Sequence, residues 1–258
     1  MAPINYERIS YAGKNAALYT ATMPFVGAFS VDAVVFDGTN DYMLRGADLT
    51  GVADADSGTI SLWFKSNADG ASVYLYANTG EFISLVRFST NKIRITLNSV
   101  TPTVLLQLEN TTAITNDGNW HHWMASWDLS AGTTHVYRDG TSDKTIVDGP
   151  TAGAPDWSRA NHAIGARTTG ANKISADIAE FYLNIGTEID LSVEANRRLF
   201  IDASGKPVDL GPTGALPTGT APIIYLRGPY ASFPPNKGSG GNFTVTGALT
   251  DAATSPSD

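Results

Sequence analysis

The chain has 258 residues, of which 42% are apolar and 16% charged; it has no cysteine and a net charge of −8. Without cysteine there are no disulfides, thiolate metal sites or cysteine nucleophiles. The acidic balance and the scattered Lys and Arg, adjacent only at Arg197-Arg198, argue against direct binding of nucleic acid. No apolar run approaches the ~20 residues needed to cross a bilayer. The N-terminus lacks the basic and apolar regions of a signal peptide, so the chain is expected to be made and kept soluble in the cytoplasm.

Residues 1–27 read as an arm, small and polar with isolated anchors such as Tyr6, Tyr19 and Phe25. From residue 28 to 200 the texture is that of a β-domain. Val34, Val35 and Phe36 lead into an Asp37-Gly38 turn. Thr59 to Lys65 alternates, which places Ile60, Leu62 and Phe64 on one face and Trp63 on the other. Val73–Tyr76, Phe82–Phe88, Lys92–Leu97 and Val104–Leu108 follow as strands. In Trp120–Trp127, the residues Trp120, His122, Met124 and Ser126 share one face, and His121, Trp123, Ala125 and Trp127 the other. A strand apolar on both faces is central or covered. Thr133–Arg138 ends in an Asp139-Gly140 turn, and Ala163–Gly165 and Ile174–Leu183 complete the set. One helix is expected over residues 193–201, capped by Ser192. Residues 201–258, with nine Gly and eight Pro, read as a wrapping extension with strands at Ile223–Leu226 and Phe243–Thr246 and a frayed end. About ten turn-punctuated strands with one late helix predict a β-sandwich.

Four stretches carry a family resemblance: Val35-Phe36-Asp37-Gly38-Thr39-Asn40-Asp41-Tyr42; Thr59 to Phe64; Asp117-Gly118-Asn119-Trp120-His121-His122 with Val136-Tyr137-Arg138-Asp139-Gly140; and Ile164-Gly165 through Ile178–Tyr182 to Leu191–Glu194. In this order they resemble the laminin-G-like, concanavalin A-like family. That implies an all-β, concanavalin A-like jelly-roll β-sandwich. Residues 201–258 resemble the tails of such domains in structural proteins of tailed phages and prophages.

The candidate sites each have a plain structural alternative. Glu188-Ile189-Asp190 with Glu194 is similar to the carboxylate motif of concanavalin A-like glucanases, but the last Glu comes one residue late and falls inside the expected helix. The adjacent His121 and His122 point to opposite faces of a strand and cannot share a metal; His135 and His162 stand alone. Laminin-G-like domains often bind calcium at a rim. Asp37, Asn40 and Asp41 offer oxygen ligands for a structural calcium, as do Asp54 and Asp56; these are equally ordinary turn residues. For glycans, Trp157 beside Asp156 in a polar loop is the leading platform, with Tyr42 and Tyr230 behind it.

These readings combine into a non-enzymatic virion protein that decorates capsid or tail. Its two ends would dock on copies of itself and on other virion proteins, and its sandwich would meet host-surface glycans. The alternative is a free carbohydrate-binding lectin, and a glycoside hydrolase comes third.

Overall fold

Alternation along the sequence decides which layer each side chain enters. The computed structural model describes residues 29–258, so the arm expected over 1–27 lies outside the described residues. In chain order the strands are β1 (Val34–Asp37), β2 (Tyr42–Arg45), β3 (Ser57–Ser66), β4 (Val73–Asn78), β5 (Ile83–Arg87), β6 (Ile93–Asn98), β7 (Val104–Asn110), β8 (His121–Asp128), β9 (Thr133–Arg138), β10 (Thr141–Ser142), β11 (Lys144–Asp148), β12 (His162–Ile164), β13 (Ser175–Ile185), β14 (Ile224–Leu226), β15 (Thr244–Thr246) and β16 (Thr250–Asp251). A helix of four residues, α1 (Glu194–Arg197), follows β13. No helix among the described residues is long and apolar enough to cross a membrane.

Two antiparallel sheets form the expected jelly-roll sandwich. The first has the order β10-β9-β8-β3-β13-β1-β16, and the second β11-β7-β6-β5-β4-β12-β2-β15. Strand β13 carries β3 on one edge. Its other edge is shared by β1, along Ser175–Ile178, and by β14, along Phe181–Leu183. The Asp139-Gly140 turn joins β9 to β10 with both residues at positive φ, 51° and 76°, as a two-residue hairpin with the twist of its strands requires.

Between the sheets, Ile60, Leu62 and Phe64 of β3 and Trp123, Ala125 and Trp127 of β8 share one core with Leu75, Leu85, Ile95 and Leu106 of the second sheet. Trp63 and Met124, on the opposite face as their alternation requires, are also buried. They belong to a second cluster with Tyr182, Leu191, Phe200, Leu210 and Tyr225. The first sheet is therefore covered on both faces, and β8 is apolar on both sides for that reason.

Three expectations need correction. The helix is shorter than residues 193–201 and begins after Val193, without a side-chain cap. The backbone N–H of Ser192 is already bonded to Asp190 Oδ1 at 2.8 Å, which turns the chain there. Phe200 and Ile201 leave the helix to pack on the outer face of the first sheet. Second, residues 201–258 are part of the fold rather than a docking appendage. Ile224, Leu226, Phe233, Phe243 and Leu249 enter the main core, while β15 and β16 extend one sheet each. Third, the end is not frayed: the Val31 N–H donates to Ser257 Oγ at 3.0 Å, and Pro256 is buried.

Candidate functional site

Of the five tryptophans, Trp63, Trp123, Trp127 and Trp157 are buried, with at most 4% of their surface exposed. Trp120 is half-buried and opens on a cleft. It stands just before β8, behind a turn in which Gly118 adopts φ +80° and Asp117 Oδ1 accepts the Asn119 N–H at 2.9 Å. Alternation then puts its ring on the outer face of the first sheet, beside Trp63. Lys65 Nζ lies 5.4 Å from the ring centroid, and the indole Nε1–H donates to Thr254 Oγ1 at 3.3 Å. Thr254 Oγ1 also accepts from Lys65 Nζ at 2.8 Å, and Lys65 is paired with Asp177 at 2.6 Å. The opposite wall comes from Lys206, in the turn after α1, and from Thr254 and Ser255 of the C-terminal segment. The cleft measures about 310 Å³. Trp120, Asn119, Thr254, Ser255, Asp258 and Lys206, whose ammonium meets the Asp258 backbone oxygen, therefore line one small concavity, the pairing of apolar surface with polar groups that small-molecule sites use.

The residues singled out in the sequence lie elsewhere. Trp157 is fully buried and stacks on Trp127, with ring centroids 6.2 Å apart, and its Nε1–H donates to the Ala55 carbonyl at 3.2 Å. It is not an exposed glycan platform, because its loop folds down on the sandwich and Asp54 Oδ1 accepts both the Trp157 and Ser158 N–H groups. Asp156, 3% exposed, is ion-paired with Arg159. Trp157→Ala is therefore expected to lower stability by about 3–5 kcal/mol without a separate effect on ligand affinity. A thermal melt beside a binding isotherm checks this. Tyr42 is half-buried on the second sheet, its ring 5.7 Å from Lys173 Nζ. Tyr230, half exposed, borders a different and more apolar cleft of about 380 Å³ with Pro234, Val245 and Leu249. None of these lines the Trp120 cleft.

Asp37, Asn40 and Asp41 do come together, as a turn. Asp37 Oδ1 accepts the N–H groups of Thr39, Asn40 and Asp41 at 2.8, 3.0 and 3.1 Å. Burial, the largest single effect, pulls its carboxyl up, but the backbone bonds together outweigh it and hold the carboxyl below the usual carboxylate range. Asp41, 3% exposed, accepts the Ala248 N–H at 2.7 Å and the Asp37 N–H at 3.3 Å. Carboxylate oxygens turned onto backbone donors do not present a cation cage, so these residues do not fit the calcium the family resemblance implies. Asp54 and Asp56 are engaged likewise, with the 157–158 backbone and with Ser130. Among the described residues no group of three or more His, Asp or Glu side chains is arranged to hold a metal ion.

The glucanase-like carboxylates do not converge. Glu188 and Asp190 lie past the end of β13, so strand alternation no longer aligns them. Glu188 accepts from Thr133 Oγ1 at 3.0 Å; Asp190 caps the Ser192 N–H; Glu194 pairs with Arg198 at 2.9 Å. Burial, opposed by the Thr133 bond, raises the Glu188 carboxyl, whereas the Ser192 bonds lower Asp190. Each of the three carboxylates thus has a structural partner of its own.

Trp120 was legible as an alternating strand residue but not as a site residue. Its partners Lys206, Thr254 and Ser255 come from a segment read as an appendage, and only the fold of that segment brings them to the indole.

A family model described as Laminin_G_3, of the concanavalin A-like lectin/glucanases superfamily, matches residues 37–184. No curated protein gives a significant match. Among solved structures, a candidate carbohydrate binding protein from Bacteroides ovatus is similar with a TM-score of 0.60 and 11% identity, over 87% of this chain and 60% of that one. The chain thus spans less than two thirds of that protein. A heptameric SAP-like pentraxin from Limulus polyphemus gives a TM-score of 0.48 at 11% identity, over 86% of this chain and 94% of that one. A CBM40 domain of a Ruminococcus gnavus sialidase, bound to α2,3 sialyllactose, gives 0.43 at 14% identity, over 58% and 90%.

Proposed function

Because the chain belongs to the Laminin_G_3 family of the concanavalin A-like lectin/glucanases superfamily, we propose that it is a non-catalytic carbohydrate-binding module whose ligand lies in the Trp120 cleft. The observation that carries this reading is the position of Trp120, partly exposed while the other four tryptophans are buried. A sugar ring has apolar C–H faces and a hydroxyl rim. It matches an indole flanked by Asn119, Thr254, Ser255 and Lys206. Among the described residues Asp258 is the one carboxylate side chain that lines the cleft, so the two-carboxyl arrangement of glycoside hydrolysis is not seen there.

The test is a glycan array followed by titration calorimetry on the strongest hit. Trp120→Ala is expected to weaken binding at least about tenfold, as loss of a central aromatic anchor does, and Asn119→Ala by a smaller factor. The melting temperature should hold for Asn119→Ala, whose side chain is exposed, while Trp120→Ala also loses packing on the outer face of the first sheet, so its affinity is read below its own melting transition. An array without hits, or a Trp120→Ala variant that binds like the parent, would reject the reading.

This carbohydrate-binding reading is the alternative expected from the sequence; the leading expectation there is a virion component docking through residues 1–27 and 201–258, and the second of these segments is folded into the sandwich.

A further inference from the structure

Besides the Trp120 contacts with Thr254 and Lys65, the turn that carries Asn119 and Trp120 is held by the side chain of His121. His121 opens β8, with both ring nitrogens against carboxylates: Nδ1 is 2.8 Å from Asp139 Oδ2, and Nε2 is 3.2 Å from Asp117 Oδ2. The Asp117 side chain is also the one whose Oδ1 closes the turn on the Asn119 N–H. Asp139 is anchored independently. Its Oδ1 accepts the His122 N–H at 2.8 Å, and its Oδ2 lies 3.0 Å from Arg138 Nη1, with Arg138 in turn bridging to Asp143. On the β3 side, His121 is in register with Phe64, and the neighbouring Lys65 is engaged by Asp177. The charged groups around His121 are thus two acids in direct contact and one arginine behind the second of them.

We propose that His121 is a positioning residue that holds the Asp117–Trp120 wall of the cleft through a double bridge available only to the imidazolium. A neutral imidazole carries a single N–H and cannot donate to both carboxylates. Asp139 is closer and has two further donors, so the remaining proton stays on Nδ1. The Nε2 lone pair then faces Asp117, and the turn loses its outer tie. The side chain is 14% exposed, within reach of solvent protons. Its hydrogen bond to Asp139, opposed by burial and aided by Asp117, raises its pKa above the ordinary histidine value, so the double bridge persists to higher pH than an ordinary imidazolium would. The consequence for ligand retention rests on the Trp120 reading; the clamp itself does not.

The experiment uses ligand-free, full-length protein. Two-dimensional NMR follows the His121 ring, the Trp120 indole Nε1–H and the hydrogen-exchange protection of the Asn119 and Trp120 amides from pH 5.5 to 9. Protection, corrected for intrinsic exchange, is expected to fall about tenfold as His121 deprotonates, the scale of one charge-assisted hydrogen bond. The indole shift should move with the same midpoint. His121→Asn and Asp117→Asn are each expected to show the low, pH-independent level throughout. Protection that is flat across the His121 titration, or a His121→Asn protein as protected as the parent at pH 5.5, would overturn the clamp. Because no sugar is present, an array without hits rejects the binding reading and leaves this result standing.

Discussion

Deleting residues 201–258 is expected to give a chain that does not fold cooperatively. Ile224, Leu226, Phe233, Phe243 and Leu249 belong to the inter-sheet core, and Ile201, Leu210 and Tyr225 to the cover of the first sheet. At about 1.5–3 kcal/mol for each fully buried side chain, these eight contribute at most roughly 12–24 kcal/mol. That meets or exceeds the whole net stability of a typical domain, about 5–15 kcal/mol. The deletion also strips β14 from β13 and β16 from β1 and removes Ile201, Leu210 and Tyr225 from the cover over Trp63, Met124 and Tyr182. Circular dichroism melts and size-exclusion chromatography on residues 1–200 beside the full chain decide the matter. The full chain should give one sharp transition, and the truncated one a broad, aggregation-prone profile. A truncated protein with a sharp melt close to the parent's would mean that the extension is dispensable packing. Phe233→Ala, which removes one buried ring, should by itself lower stability by about 3–5 kcal/mol.

The contrast between core and extension shows what was readable in the sequence. Period-two alternation in β3 and β8 put Ile60, Leu62 and Phe64, and likewise Trp123 and Trp127, on shared faces that the fold turns into the core, because burial on one face leaves a local signature. The strands of Lys144–Asp148 and Thr250–Asp251 are too short or too polar to carry one; pairing with a neighbouring edge makes them strands. The extension was misjudged because Gly and Pro dominate it, and its few apolar residues find their core only across long sequence separations. For the same reason Trp157 read as a platform: composition marked its loop as polar, while Asp54, a hundred residues earlier, draws the loop down. Asp37 and Asp41 illustrate the converse. The residue types suit either a calcium site or a turn, and the direction of the N–H groups around them selects the turn.

Acidification from pH 7 to 4 is expected to destabilise the fold through its buried histidines, and replacing Glu180 should deepen the loss. His122 is fully buried between Ser61 Oγ, 2.7 Å from Nε2, and the Trp63 ring, and its Nδ1 has no partner. Burial pushes its pKa down to about 3. His162 donates from Nε2 to the Arg159 carbonyl and accepts from the Tyr76 hydroxyl at Nδ1. Burial pushes it down to about 4, despite that carbonyl and the nearby Asp48. Both folded values lie below the ordinary 6.5, so the unfolded chain takes up these protons first. Stability is complete above pH 6.5 and declines as pH falls towards the folded values. Each histidine removes about 3 kcal/mol by pH 4. Glu180 acts in the opposite sense. It is 3% exposed, on the irregular turn of β13 at φ 49°, with the Tyr225 hydroxyl donating to it and Arg227 at 3.5 Å. Burial, outweighing these partners, raises it to about 7. Its stabilising proton binds to the fold as pH falls from 7 to 4.5 and returns about 3 kcal/mol. From these three groups alone the parent loses about 3 kcal/mol by pH 4 and Glu180→Gln, which has no proton to take up, about twice that; the other shifted groups are common to both proteins, so the difference between them is the quantity read. His122→Gln should flatten the parent's profile. Urea denaturation at half-unit steps between pH 4 and 7 reads all three slopes. Parallel curves for the parent and Glu180→Gln would show that Glu180 is ionised in the fold, and a His122→Gln curve as steep as the parent's would remove His122 as a source of acid lability.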